Sequence, residues 1–527
     1  MTQRLIGAVL ILILAACAPA TPAPSATGGA APAPAEQRDE QQILRVGVGQ
    51  ITGNLSPQAS ASAVEQYWTL YDNVTHFGPN FEVRPSLADR WELREQNRVW
   101  RFTLKPTVTW PDGRPVTAHD VAFTFNEMIR ANWPVKTYFA FATGATAVDD
   151  RTVDIVNSAP DMSVPNAMTR LWVVPKHYYE QVGADGFRQK PMGSGPYEVV
   201  EFRDNDSIRF KKRSQPHAFR RPIAEEILFK VVIDNSQKIN GLKAGELDLV
   251  LQGNYSGAQT EQIRAAGLTI LSYPVAPYGI IIPQAAVELH NSPLRDKRVR
   301  QAVAYAIDWN AIATKIFNGI AVPASNFSTP GSLYWDPEAK PWPYDPARAR
   351  QLLAQAGYPN GFRIETGMDT TAAQGIPDTV LAIQGFLRDV GIQVDINPVE
   401  FAIIRDKFYG RNGQIWSDIY TLGTADSTGF FSNLRIQWGC GRPIGGAPGS
   451  ENYCNPEWDR LFDGALSEPD PTRRAEMMRR AAKLMNEDLY VIPGLIQATP
   501  HVHTPKVRGF NPDNPTAFNL DSVYKIK

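Results

Sequence analysis

A chain of 527 residues can bury two or three cores, and its balance of 53 Lys and Arg against 54 Asp and Glu excludes the basic footprint of a nucleic-acid binder. Three cysteines are too few for a disulfide scaffold; 42 prolines and 39 glycines spread through the sequence describe many turns between short elements, with no internal repeat. Beyond the N-terminus, no apolar run is long enough to span a bilayer.

At the N-terminus, Arg4 precedes an apolar stretch at residues 5–15, and Leu14, Ala15, Ala16 and Cys17 close it with small residues and a thiol. This resembles a bacterial lipoprotein signal, which implies cleavage before Cys17 and diacylglycerol on its sulfur. Such a lipid anchors a protein to the membrane without a spanning segment. An ordinary secretory signal with an incidental cysteine is the alternative. Residues 18–42, rich in Ala, Pro, Thr and Ser and then polar, read as a flexible tether.

Residues 43–49, ILRVGVG, predict a buried strand entering a glycine turn. The following glycines lack the Lys-Ser/Thr ending of a phosphate loop and the spacing of a dinucleotide fingerprint. Residues 99–104 and 108–110 have strand character. Thr117 and Asp120 form a capping box for a helix bearing Val121, Phe125, Met128 and Ile129, and residues 151–157 return as a strand. Residues 191–197, PMGSGPY, mark a tight passage between domains. Strands at 207–210, 225–233 and 247–250, with a helix at 236–244 stopped by Gly245, indicate an α/β layer.

The helix from Asp296 carries Val299, Ala302, Val303, Ala306 and Ile307 at a spacing of three and four, so one stripe faces a core and the charges face solvent. Asp308 interrupts it or opens a second helix running to Ile316. Asp345 and Pro346 place a cap and a first-turn proline before Leu352 and Leu353, with Gly357 ending the turn. Residues 362–368 read as a strand, 378–390 as a helix and 392–399 as an alternating strand.

Six segments together resemble the large extracellular solute-binding proteins of ATP-binding-cassette importers, the family of oligopeptide, dipeptide and nickel binders. They are RPSLADRWE at 84–92, WPDGRPVTAHDVAFTF at 110–125, GSGPY at 193–197, SPLRDKRVRQAVAYAID at 292–308, DPARARQLLAQAGYPNG at 345–361 and NYCNPEWDRLF at 452–462. The resemblance implies an α/β fold with mixed sheets: two lobes hinged over one ligand, and an accessory α/β domain inserted in the first lobe. Lobe I would comprise 43–72, 190–277 and 498–527, the accessory domain 73–189 and lobe II 278–497. It implies an extracytoplasmic protein at the periplasm or cell surface; a monomer with no cofactor, metal site or nucleic acid is expected, and a chelated nickel stays open as cargo by the family's range. Its partners would be a small organic solute and the permease subunits of an importer.

In peptide binders of this family, an aspartate in the second lobe neutralises the ligand's α-amino group. Aligning Phe430 and Phe431 with the family pattern puts Gly423 at that position and Asp426 at the next aspartate. This departs from a standard peptide site unless a shifted loop lets Asp426 or Asp418 serve instead; Asp426 is the preferred polar contact, with a helix cap or loop bond beside Ser427 and Thr428 as the alternative, because one carboxylate in a closed cleft selects an ammonium or hydroxyl-rich ligand. Trp416 and Tyr420 could stack on a sugar or apolar side chain or serve lobe packing, and Arg435 could meet a carboxylate or pair between lobes. Gln58 and Ala61 would approach from the opposite lobe and Gln497 from another crossing region. Peptide cargo leads, with opines and oligosaccharides beside it; a non-transport sensory or structural lipoprotein is the other class.

Outside the cytoplasm, with Cys17 assigned to lipid, Cys440 and Cys454 are expected to form a disulfide. His501 and His503 could share a strand face, but no cysteine or carboxylate follows at a recognised metal spacing. The sequence carries neither a GxSxG elbow nor an HExxH motif, which argues against an enzyme.

Overall fold

The computed structural model describes residues 37–51, 55–57, 64–78, 81–139, 141–253, 255–284, 288, 291–326, 328, 330, 335–369, 375–400, 420–423, 438–441, 453–511 and 520–527. Nine of its strands build one sheet: β1 (Ile43–Val48), β2 (Tyr197–Arg203), β3 (Ser207–Lys212), β4 (Glu226–Val231), β5 (Leu249–Val250), β6 (Thr269–Ile281), β7 (Val322–Pro323), β8 (Tyr420–Gly423) and β9 (Val491–His503). Their order is β8-β6-β9-β5-β1-β4-β3-β2, with β7 paired to β9. β1 runs parallel to β4 and β5, and the other pairs are antiparallel.

The local expectations hold where caps and periodicity carry them. Asp296 caps helix Lys297–Ala306 by accepting from the Arg298 amide at 2.8 Å, and Asp308 caps Trp309–Lys315 by accepting from the Ala311 amide at 2.9 Å. Asp345 caps Pro346–Gln355 through the Arg348 amide, also at 2.8 Å. Asp120 accepts from the Thr117 amide at 2.9 Å ahead of helix Ala118–Arg130. Gly245 ends helix Asn235–Ala244 with a φ of 74°, which glycine adopts without a Cβ penalty.

Two expectations need correction. Residues 108–110 form no extended strand; Thr109 makes one isolated bridge to Pro115, because the Pro111-Asp112-Gly113 turn folds the chain back at once. Nor are all charges of the Lys297–Ala306 helix solvated. Arg300 is buried, donates to the carbonyls of Asp488, Leu294 and Arg295 at 2.7 to 2.9 Å, and lies 4.0 Å from the Tyr490 ring centroid. A guanidinium tolerates burial when its donors are occupied.

The apolar residues divide into separate cores. One joins Leu44, Val46, Phe210 and Phe229 of the large sheet to Phe102, Trp110, Phe125 and Val153. Phe102, Phe125 and Val153 belong to a four-stranded antiparallel sheet, Ala88–Arg94, Val99–Leu104, Thr152–Asn157 and Ala142–Ala147, and the Ala118–Arg130 helix beside it, and Trp110 to the turn between them. A satellite core lies around Leu242, Leu247, Val250 and Val502. A second large core gathers Tyr278, Ile280, Val299, Val303, Leu352, Leu387, Ile492 and Leu495. Next to it, Ile281 and Val491 join Trp458, Leu461, Phe462 and Leu466.

β6 and β9 connect these bodies. Each is 13 residues long, about 40 Å of extended chain. At one end Ile270 and Val502 pack in the satellite core; at the other Ile280, Ile281, Val491 and Ile492 enter the second set. Between the ends the register slips at Pro274/Ala276 and at Tyr278/Gly279. Pro274 and Pro277 have no amide hydrogen to give the ladder, so the ribbon is least tied between its anchored ends.

Buried charge fixes the first body. Asp72 accepts from Ser194 Oγ at 2.8 Å, His217 Nε2 at 2.9 Å and Arg220 Nη1 at 3.3 Å, while Arg220 also donates to both oxygens of Asp521 at 2.7 and 2.9 Å. His217 Nδ1 accepts from the Arg220 amide, which makes Nε2 the donor to Asp72. A Cβ on Gly195 would meet the Leu70 carbonyl at 2.7 Å, so the predicted tight passage is a close backbone approach. The C-terminal segment reaches back to the start of the fold: Gln42 and Lys525 exchange two hydrogen bonds, at 2.9 and 3.2 Å, and Arg38 bridges Ile526.

Candidate functional site

The parallel strands β4, β1 and β5 end along one edge of the sheet, the place where open α/β sheets receive ligands. Residues 49–51, 55–57 and 251–253 and the start of helix Val64–Leu70 lie there. Two tyrosines one helical turn apart hold the edge in shape. Tyr67 donates its hydroxyl to the Ser56 carbonyl at 2.9 Å and Tyr71 to the Leu55 carbonyl at 2.8 Å. Burial pushes both phenols well above their ordinary range, so both remain donors at physiological pH.

Sequence reasoning missed Glu65 on the same helix. It is buried, accepts from Gln252 Nε2, and has its pKa raised by burial, with Arg170 opposing. Gln252 itself adopts a φ of 53° and is exposed beside β5. A carboxylate in the first helical turn next to an aromatic run was visible in the sequence. Its burial was not, because Gln252 lies 187 residues away.

The ribbon supplies another face. Gln497 stands in β9 opposite Ala276, at the first register slip and between the anchored ends. Tyr420 and Gly423 begin and end β8, pairing with Ile281 and Tyr278 of β6, so β8 lies beside the stretch of ribbon that enters the second set of cores. Gln58, Ala61, Trp416, Asp418, Asp426 and Arg435 lie outside the described residues, as does Cys17. Gln58 follows the described segment 55–57, and Trp416 and Asp426 flank β8 in sequence.

Cys440 and Cys454 are bonded, with a Cα separation of 4.3 Å. Around them the Cys440 amide donates to Asp459 at 3.1 Å and the Cys454 amide to Gln284 at 2.8 Å. His501 and His503 both pack edge-on against Phe510, at 5.6 and 6.2 Å between ring centroids. Burial pushes His501 down to about 4. Among the described residues, no three His, Cys, Asp or Glu side chains gather as metal ligands.

Two sets of cores joined by long crossing strands, with a loop-lined sheet edge beside the crossing, define a two-lobed periplasmic-binding-protein architecture. Solved structures share it. The ABC transporter substrate-binding protein CtaP from Listeria monocytogenes matches with a TM-score of 0.78 at 21% identity, covering 92% of this chain and 99% of that one. MoaA from A. tumefaciens R10, solved with mannopinic acid, matches at 0.70 and 23%, covering 92% and 99%. The chain belongs to the bacterial extracellular solute-binding proteins, family 5, whose middle region matches residues 82–439. It is similar to heme-binding protein A of Haemophilus influenzae, at 23% identity over 486 residues, 87% of this chain and 86% of that protein. It is likewise similar to the dipeptide-binding protein of Escherichia coli, at 25% over 474 residues, 84% and 86%. The protein is accordingly an extracytoplasmic solute-binding protein.

Proposed function

We propose that the protein captures a peptide or peptide-like solute between its lobes and presents the closed form to a membrane permease. The observation that carries this reading is the ribbon: two strands anchored in different cores, with register slips and prolines between, form a hinge that lets one body close on the other. Likeness to the dipeptide-binding protein supports the cargo class. Lobe I comprises 43–72, 190–277 and 498–527, the accessory domain 73–189 and lobe II 278–497. Gln58 and Ala61 meet the solute from lobe I, Trp416, Tyr420, Asp426 and Arg435 from lobe II, and Gln497 from the crossing. Cys17 carries the lipid, residues 18–42 are the tether, and the protein acts as a monomer.

Gly423 favours a second reading. Where the family's peptide binders place an amine-neutralising carboxylate, this chain has no side chain, and likeness to a protein solved with mannopinic acid makes an opine the alternative cargo. Native mass spectrometry of the gently purified protein, followed by mass identification of what it releases, tests both. A heterogeneous set of short peptides supports the first reading, one amino acid–sugar conjugate the second, and a protein that retains neither and binds neither in a thermal-shift screen refutes both.

A further inference from the structure

The described residues contain a contact between the lobes away from the ribbon. The accessory sheet shares one core with the first lobe, so the two move as one body. Two of its features nonetheless reach the second lobe. Phe141 packs against the core formed by Trp458, Leu461, Phe462 and Leu466, and the Met162 amide donates to the Leu466 carbonyl at 2.9 Å. Leu466 lies in the last turn of helix Pro456–Ser467, whose final carbonyls have no partner within the helix, so a donor from the opposite lobe caps it.

The reaching segment is held firmly from behind. The Ser158 amide donates to the Phe141 carbonyl at 2.8 Å, and Trp100 Nε1 donates to the Asp161 carbonyl at 2.7 Å. Asp161 is 1% exposed; one carboxylate oxygen accepts from the Ser163 amide at 2.8 Å and its hydroxyl at 2.5 Å, and the other has no hydrogen-bond partner among the described residues. Among the described residues, its link to the second lobe consists of one half-buried ring and one backbone bond. Both groups of that bond can be rehydrated on separation, so the contact is separable at modest cost.

We propose that Phe141 and the Met162 amide form a latch by which the accessory domain holds the second lobe in the closed state. This rests on the hinged-closure reading above and adds a role for the accessory domain in setting the open-to-closed balance. The hinge alone lets the lobes part; the latch gives closure a preferred end point. Phe141→Ala removes the apolar half of the contact and moves the balance toward open by about tenfold. The variant M162C/L466C places thiols on backbones already joined by one hydrogen bond and locks closure when oxidised.

Small-angle X-ray scattering tests this on protein freed of bound solute by unfolding and refolding. Expected results are a single compact form for oxidised M162C/L466C, recovery of the wild-type mixture on reduction, and a larger open fraction for Phe141→Ala. The latch is overturned if the oxidised variant scatters as the same mixture as its reduced form, or if the cross-link does not form. It is equally overturned if Phe141→Ala retains the wild-type fold by circular dichroism and the wild-type open fraction. Because scattering needs no ligand, a protein that opens and closes as expected but captures no solute sinks the capture reading alone. Solute capture with unchanged scattering in both variants sinks the latch alone.

Discussion

Replacing Asp72 by Asn tests the claim that buried charge holds the first body together. Asp72 and His217 are each 1% exposed at the side chain, and Asp72 joins Ser194 of the tight passage to Arg220, which in turn holds Asp521 near the C-terminus. Asparagine keeps the shape but removes the charge and turns an NH2 group toward donors. Breaking a buried ion pair costs about 3 to 5 kcal/mol, and the lower end applies because Arg220 keeps its two bonds to Asp521, giving an expected loss of about 3 kcal/mol. Urea unfolding followed by tryptophan fluorescence measures it. The pH dependence has a definite sign. Burial alone would raise the Asp72 pKa, but the His217 and Arg220 interactions and the Ser194 hydrogen bond outweigh it and hold the carboxyl well below its usual range. The stability it contributes is therefore present above the unfolded value of about 3.9 and is lost as pH falls through the folded pKa. The gap between wild type and Asp72→Asn should be widest at pH 5 to 7 and narrow below about pH 4. A loss under about 0.5 kcal/mol, or a gap independent of pH, would refute the argument.

Glu65 has the opposite sign. Its raised pKa means stability is lost as pH rises from its unfolded value through its folded one, so Glu65→Gln should stabilise by about 1 kcal/mol at pH 7 and by nothing below about pH 4, read from urea midpoints at the two pH values. Replacing Cys440 and Cys454 by Ser opens a loop with a sequence separation of 14 and should cost about 3 kcal/mol in the unfolding transition that reports on the second lobe. Gly195→Ala should sharply reduce the yield of folded protein in an expression and solubility assay, since the Leu70 carbonyl occupies the space of the new Cβ. Normal yield and stability there would show that the passage can relax.

Short-range features of this fold were readable from the sequence, and long-range ones were not. The caps at Asp296, Asp308 and Asp345 act within three residues, so the sequence contains both partners. β6 and β9 escaped notice because Pro274, Pro277, Pro493 and Pro500 read as breakers, and because each strand's main partner lies more than 200 residues away. Arg300 was misjudged for the same reason: periodicity shows which face is apolar, and only the fold shows that the Asp488 carbonyl waits beside it. At the site, the cysteine pair accords with the structure, while Glu65 became visible only once Gln252 was placed. The family resemblance supplied the two lobes, which no local pattern encodes.

The pairing of Gln42 with Lys525 also has a temporal meaning. β1 begins beside Gln42, and the Arg45 amide donates to Asp248, whose carboxylate lies 3.5 Å from the Lys525 ammonium. The surroundings of the first strand are thus finished by residues 483 positions further along the chain. Until those residues have been made, the first strand lacks the contacts that close it.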